Sequence, residues 1–566
     1  MKWEQQDRNT IFVGARPAVE PARRSRLSEA LFVAILVGAL AVRAFWTAHR
    51  DPVLDGNGCE YARIAENLLK HGAYVGLFEG PELMFPPVFP VLLAASGRIA
   101  GSLDGAMRTV PLLAGLLLVP AVFALARLVY GRRVALGAAA LVALNPLLVD
   151  LSSAVLSEGI FLLLMVGGLY WGLRSLDSGT AGHLLACGTL LGLAYLTRPE
   201  AVLYVGVLLV AGIPNDLKHH PAFRHVARRV LCLLAPIVVL AAPYAAYLSW
   251  ETDTLRLEGK SVLNYKIAER RNAGMGGYEA AFGIDSNLAE TGPHLSPNRF
   301  VATAAAHISR PALVQSWITS ARRNREAMTQ LLLKSPVLSF PLGMGLVILG
   351  LLGRPWSPRR ARYEIVLLAI VIGQITVLLG LPNVSARYLF PIVPISVLWI
   401  AQGIDVGARW GRGTARRSGL AARGRAVVDA GVRAALIVGI LTLVLWTMRW
   451  GSLEADDPSA RVLRSAGAWL EDYRPGAKRI MTVEPQIPYY AGGTFLPLPY
   501  ADGASALRYI RAKHPDFIVL TEQSREVTPY LAQWLITGIP DREARLVYRT
   551  GSDGAQFALI YEWNGP

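Results

Sequence analysis

Directly after a long apolar stretch the chain reads Asp55-Gly56-Asn57-Gly58-Cys59-Glu60-Tyr61, two carboxylates in a glycine-rich turn. A carboxylate at the edge of a membrane is partly desolvated, its pKa rises, and it then suits general-base work. An ordinary reading stands beside that one: Asp55 caps a turn and Glu60 is a solvated surface acid. Farther on, Asp150 and Ser157-Glu158 precede another apolar run. Glu158 at a span mouth is a functional candidate by position, or a helix-start carboxylate favoured by the macrodipole. Arg198, between Thr197 and Pro199-Glu200, and Arg387-Tyr388 stand at the ends of further apolar runs. A guanidinium there matches a phosphate in geometry and charge, or anchors its helix by snorkelling. Lys260, Lys266, Arg270 and Arg271 add positive charge in a long polar segment, a pattern that ordinarily marks a solvated face.

The elements that must hold these residues follow from the apolar blocks. Of 566 residues 53% are hydrophobic and 17% charged, with mean hydropathy +0.37; soluble domains carry about 25% charged residues. The blocks predict about eleven spans of roughly 20 residues or fewer. They are Leu27–Trp46, Val110–Tyr130, Val134–Val149, Val155–Leu173, Leu184–Leu196, Ala201–Ile213, Val230–Trp250, Val337–Leu352, Ile365–Leu381, Tyr388–Gly403 and Ala434–Trp450. The fold class is an α-helical polytopic membrane protein. The first span is too long for a signal-peptide core and no small-residue cleavage site follows it, so it is read as retained. With the N-terminus inside, every short basic cluster lands on one side: Arg132 and Arg133, Arg174, Lys218 to Arg229, Arg354 to Arg362, and Arg409 to Arg433. That is the positive-inside pattern, and it makes Thr197–Glu200 the outer turn of a helical hairpin. Arg127 alone intrudes on a span, with Arg43 close to a span end.

The net charge of +16 is spent on those loops, which argues against a nucleic-acid partner. Cys59, Cys187 and Cys232 have neither metal-ligand nor paired-disulfide spacing. Residues 1–450 are read as the membrane domain, with long outer loops over 47–109 and 251–336, and 451–566 as an extracytoplasmic domain. Cys59–His71 and Phe85–Ile99 fit helices lying in the interface plane. The tail reads as a small soluble α/β domain: a helix over Ser459–Tyr473 and strands at Arg479–Val483, Asp516–Leu520, Arg545–Arg549 and Phe557–Trp563. Gly492-Gly493 and the Pro497/Pro499 pair read as turns, and the tail shows no catalytic constellation.

Taken in order, these motifs form a set: Asp55 to Tyr61, Ala65-Glu66-Asn67-Leu68-Leu69, Pro86-Pro87, Ser157-Glu158, Leu196 to Glu200, and Arg387-Tyr388-Leu389-Phe390-Pro391. The chain resembles the GT-C glycosyltransferases over roughly Leu27 to Gly403, in particular the protein O-mannosyltransferases and the lipid A aminoarabinose transferase. The resemblance implies a sugar donor on a polyprenyl phosphate and an acceptor hydroxyl of a lipid, glycan or protein. It places both at the outer face of a bacterial-type cytoplasmic membrane, with transfer by inversion. Asp55 matches the family's base by position and Glu158 its second acid. Gly56 stands where the family often has another acid, so Asp55 and Glu60 compete for the base role. Tyr61, Arg198, Glu200, Lys260, Arg387 and Tyr388 are the expected substrate-binding residues. Phe85 replaces the lysine of the aminoarabinose branch, which leaves the donor sugar open. The resemblance calls for no cofactor and leaves a divalent metal open. A transporter or flippase for a lipid-linked glycan is the alternative; against it stand the scarcity of charge within spans and the lack of repeated halves with broken helices.

Overall fold

A computed structural model describes residues 19–49, 54–219, 223–304, 310–334, 341–382, 384–417, 458–551 and 556–565, with isolated positions at 427, 431, 439 and 442. The expected span Ala434–Trp450 and most of the Arg409–Arg433 loop lie outside them, as does the junction between the two expected domains.

The membrane part is helical, as its composition requires: with no water in the bilayer core, each backbone N–H and C=O must be satisfied within its own segment. Among the described residues six helices are long and apolar enough to cross a membrane: Arg26–His49, Leu103–Tyr130, Glu158–Ser178, Arg224–Thr252, Pro358–Leu379 and Ile392–Gly411. Shorter apolar helices include Ala181–Tyr195, Ala201–Pro214 and Gly343–Leu352. Leu27, Val33, Val37, Val202, Val210, Val238, Ile365 and Ile372 remain exposed, forming the apolar outer surface that faces lipid. The hairpin over 181–219 turns at 196–200 as expected.

One predicted span is broken. The Val134–Val149 run forms a helix over Arg132–Leu144 and a short helix over Pro146–Leu151. Pro146 has no N–H, so the Val142 carbonyl loses its helical partner. Arg43, wholly buried, supplies donors instead, 3.0 Å from the Val142 oxygen, 2.7 Å from that of Ala143 and 3.1 Å from Ser152 Oγ. Arg360 does the same at the end of the helix Pro341–Leu352, donating to the Gly350 and Gly353 carbonyls and pairing with buried Glu364 at 3.2 Å. Buried charge is therefore more common in the membrane part than the sequence suggested, and it is used to satisfy broken helix ends.

On one side of the bundle the outer segments build their own core. The helices Gly56–His71 and Val88–Ala100 pack together, sharing Ile64, Ala65, Phe89 and Leu93 with Leu263 and Ile267 of the helix Lys260–Asn272. The tail is the expected α/β unit, with strands β1 (Arg479–Thr482), β2 (Thr494–Pro497), β3 (Phe517–Thr521), β4 (Ala544–Thr550) and β5 (Ala558–Trp563). Sheet order is β2-β1-β3-β5-β4; the first three run parallel and β4 and β5 are antiparallel additions. Strand β2 follows the Gly492-Gly493 turn and ends at Pro497, in a segment for which the sequence predicts no strand. Its short length and terminal proline hide the strand pattern.

The tail docks on the outer segments. The Phe495 N–H donates to the Leu77 carbonyl at 2.8 Å, Arg63 to the Tyr489 carbonyl at 2.9 Å, and Tyr278 to the Leu498 carbonyl at 2.7 Å. Lys513 pairs with Glu290 at 2.5 Å. Loops and tail therefore lie on one side of the bundle.

Candidate active site

Asp55 ends the chain's approach to the outer helix Gly56–His71 as its N-cap, accepting from the Gly58 N–H at 2.6 Å. The capping role anticipated for it is real. Its other oxygen faces Arg387 at 3.3 Å. Arg387 sits in a short 3-10 turn, Ala386–Leu389, just before the span beginning at Ile392. Its guanidinium also lies 3.7 Å from Glu158, and the Asn57 amide oxygen accepts from it at 2.8 Å in the amide orientation that satisfies both groups.

Glu158 starts its helix beneath this turn and is almost wholly buried. It meets Arg198 at 2.6 Å, and Arg198 in turn holds Glu200 at 2.8 Å. Pro199 and the hairpin turn force these side chains inward together. Burial pushes the Glu200 carboxyl up, but the Arg198 guanidinium outweighs it and holds the group below its ordinary value. Tyr388 lies beside both arginines, its ring 5.9 Å from Arg198 and 5.7 Å from Arg387. Tyr61 donates to Ser157 Oγ at 2.9 Å and packs edge-on against Phe85 and Phe89, which fixes the start of the Glu158 helix against the outer helix.

Lys260 opens the helix Lys260–Asn272, its ammonium 3.9 Å from the centre of the Phe85 ring. Burial, then the Arg198 and Arg387 charges, lower its pKa to about 8. Lys266 pairs locally with Glu269, and Arg270 binds the Ala280 carbonyl, so these two cations shape the loop rather than the site.

Glu60 is placed differently from Asp55. Fully packed, it accepts from the Leu77 N–H at 3.0 Å and lies against buried Glu82, which accepts from Met84 and Phe85 N–H groups at 2.7 and 2.9 Å. Burial, then the Glu82 charge, raise the Glu60 pKa well above the ordinary carboxylate range. Only glycine fits beside the two acids: a Cβ on Gly76 would sit 1.7 Å from the Glu60 oxygen.

Two cavities meet at this network. The larger, 830 Å³, is lined by Glu60, Tyr61, Glu158, Arg198, Glu200, Lys260, Arg387 and Tyr388. All the expected site residues except Asp55 therefore face one space. The smaller, 420 Å³, is lined by Asp55 and again by Arg387, with Leu156 common to both. Sequence reasoning missed Glu82, Glu258, His294 and the tail's Val483, Pro485 and Phe495, the last five of which line the larger cavity. Glu82, the acid just before the double proline, was open to notice; His294 and the tail residues carry no local signal. Burial, then Lys260, lower His294 to about 4. Among the described residues no group of three or more His, Cys, Asp or Glu side chains is placed to hold a metal ion.

Residues 85–250 match a family model described as dolichyl-phosphate-mannose-protein mannosyltransferase. No curated protein matches the sequence. Among solved structures, the apo oligosaccharyltransferase of Archaeoglobus fulgidus superposes with TM-score 0.59 at 14% identity, over 95% of this chain and 75% of that one. AglB from the same organism, in complex with an inhibitory peptide and a dolichol-phosphate, gives 0.57 at 12% identity, over 93% and 74%. ArnT from Cupriavidus metallidurans bound to undecaprenyl phosphate gives 0.54 at 13% identity, over 94% and 97%. The chain thus has the polytopic fold of the GT-C glycosyltransferases, as the resemblance implied.

Proposed function

We propose that the chain is a membrane glycosyltransferase that moves a hexosyl or pentosyl group from a polyprenyl-phosphate donor to an acceptor hydroxyl at the outer face of a cytoplasmic membrane. The observation that carries this reading is the position of Arg387, shared by both cavities and reaching Asp55 and Glu158 alike. A donor with an anionic phosphate and a long apolar chain needs cations beside an apolar channel open to lipid. The larger cavity supplies Arg198, Lys260 and Arg387 together with Val202, Leu203, Val377, Leu378 and Leu381, of which Val202 and Val377 face outward. AglB and ArnT hold lipid phosphates of this kind in the structures named above. The outer location rests on the one-sided arginine and lysine pattern, with the loops and tail on the opposite side.

In this reaction Asp55 takes the proton of the acceptor hydroxyl, whose oxygen attacks the anomeric carbon. The bond from that carbon to the phosphate oxygen breaks on the opposite face, inverting the centre, and its electron pair leaves with the lipid phosphate. Arg387, Arg198 and Lys260 stabilise the charge that grows there. Glu158 and Glu200 hold the Arg198 fork in place, while Tyr61 and Tyr388 set the walls. Glu60, turned to Leu77 and Glu82, holds the loop rather than the acceptor.

The test is consumption of undecaprenyl-phosphate sugars by the detergent-solubilised full chain, comparing Asp55→Asn with Glu60→Gln. Loss in the first with retention in the second is expected. The opposite pattern makes Glu60 the base, and no consumption of any such donor by the unaltered protein sinks the reading.

A further inference from the structure

The smaller cavity has a wall from each half of the molecule. Asp104 and Arg108 come from the start of the helix Leu103–Tyr130, Asp150 from the broken helix end, and Arg464, Tyr489 and Tyr490 from the tail. Resting on the glycosyl-transfer reading, we infer that this cavity is the acceptor site and takes an uncharged sugar residue, so that the acceptor is a glycan and the tail helps to select it.

Charge balance argues for an uncharged ligand. Asp55, Asp104 and Asp150 line it together with Arg108, Arg387 and Arg464, so its formal charges balance and the wall carries no excess of either sign to select an anion or a cation. Alternating carboxylates and guanidiniums instead offer acceptors and donors at several points, as the many hydroxyls of a sugar ring require. The tail adds two aromatic faces: Tyr489 and Tyr490 have centroids 5.2 Å apart at 71°, and Arg464 lies 5.8 Å from the Tyr490 ring. An angled aromatic pair suits the apolar C–H faces of a pyranose or furanose. The volume of 420 Å³ falls within the usual range of small-molecule sites. A peptide would be expected to use a strand edge or a long groove, and the residues lining this cavity belong to helices and the turns between them rather than to any named strand. Asp55 on its wall places the base beside any hydroxyl bound there.

The experiment uses the full chain in detergent and saturation-transfer NMR. Probes are the methyl glycosides of mannose, glucose, galactose and arabinose, and a serine- and threonine-containing peptide. At least one glycoside should bind, Asp104→Asn and Arg464→Ala should each weaken it roughly tenfold, and the peptide should not displace it. Both substituted side chains are exposed, so folding survives the change, which a melting curve verifies. No glycoside binding, binding untouched by either variant, or displacement by the peptide each overturns the inference. Undecaprenyl phosphate binding, measured in the same samples, separates the two readings. If glycosides bind as described and the lipid does not, the sugar site stands and the transfer reading falls; the reverse removes only the sugar site.

Discussion

The two arginines at the cavities live in contrasting settings. Arg198 is 13% exposed and is clamped by Glu158, 4% exposed, and Glu200, 24% exposed. Arg387 is 28% exposed and its partner Asp55 47%. The hairpin turn around Arg198 is thus a fixed electrostatic frame, assembled on folding and expensive to disturb. The junction of Asp55 and Arg387 is more exposed and its contact is longer, 3.3 Å against 2.6 and 2.8 Å. Under the proposed reaction the buried cluster would hold its arginine in position, and the more exposed pair would exchange partners with the phosphate.

The largest effect that would sharpen the contrast is on turnover. Asp55→Asn should lower turnover about 10²–10⁴-fold, equivalent to roughly 3–5 kcal/mol of barrier, with an unchanged melting temperature because Asn also caps helices. A matching fall in melting temperature would make Asp55 a structural residue and break the contrast. At the other arginine the loss should appear in stability. Glu158→Ala leaves Arg198 short of a partner in a buried site and should cost about 3–5 kcal/mol of unfolding free energy. Adding Arg198→Met with Glu200→Gln, so that neither the cation nor its second acid is left unpaired, should recover much of that loss. Equal destabilisation in the single and triple variants would show that the cluster is not a frame.

A third effect is a pH dependence read at Lys260, whose pKa falls from 10.5 to about 8 on burial beside the two arginines. As pH rises through 8 the ammonium loses its charge, and binding of undecaprenyl phosphate should weaken. Between about 8 and 10.5 the unfolded chain binds a proton that the folded one has lost, so stability should rise over the same window. Lys260→Arg should flatten both curves; a donor-binding curve that keeps its inflection removes Lys260 from the site. The smallest effect serves as a baseline. Lys70 and Glu66 pair at 2.7 Å on the surface of the outer helix, with Lys70 63% exposed. Lys70→Ala should change stability by less than about 1 kcal/mol, and a larger loss would mean that exposed pairs here are not weak.

Much of this was open to sequence reasoning because it depends on local pattern. Apolar runs of about 20 residues are accommodated in lipid only as helices, so the long spans and the hairpin at 196–200 followed from local pattern, as did the helices Gly56–His71 and Val88–Ala100. Two of the five strands were legible from alternation and two more as short apolar runs. Asp55, Glu158, Arg198 and Arg387 stood out as charges at span ends on the side opposite the basic clusters.

What the sequence by itself determined, then, is which segments form apolar helices and that its unusual charges stand at their ends. Which of those charges touch was decided by tertiary structure alone. Asp55 and Arg387 are 332 positions apart and meet only because the first outer turn and the tenth predicted span converge. Glu82 became a partner of Glu60 only once Gly76 let the loop fold back on the outer helix. Arg464, Tyr489 and Tyr490 entered the smaller cavity because the tail docked there. A sequence pattern records how each segment meets solvent or lipid, a property of the residue and its near neighbours. A cavity wall is set by how segments pack against one another, and no single segment carries that information.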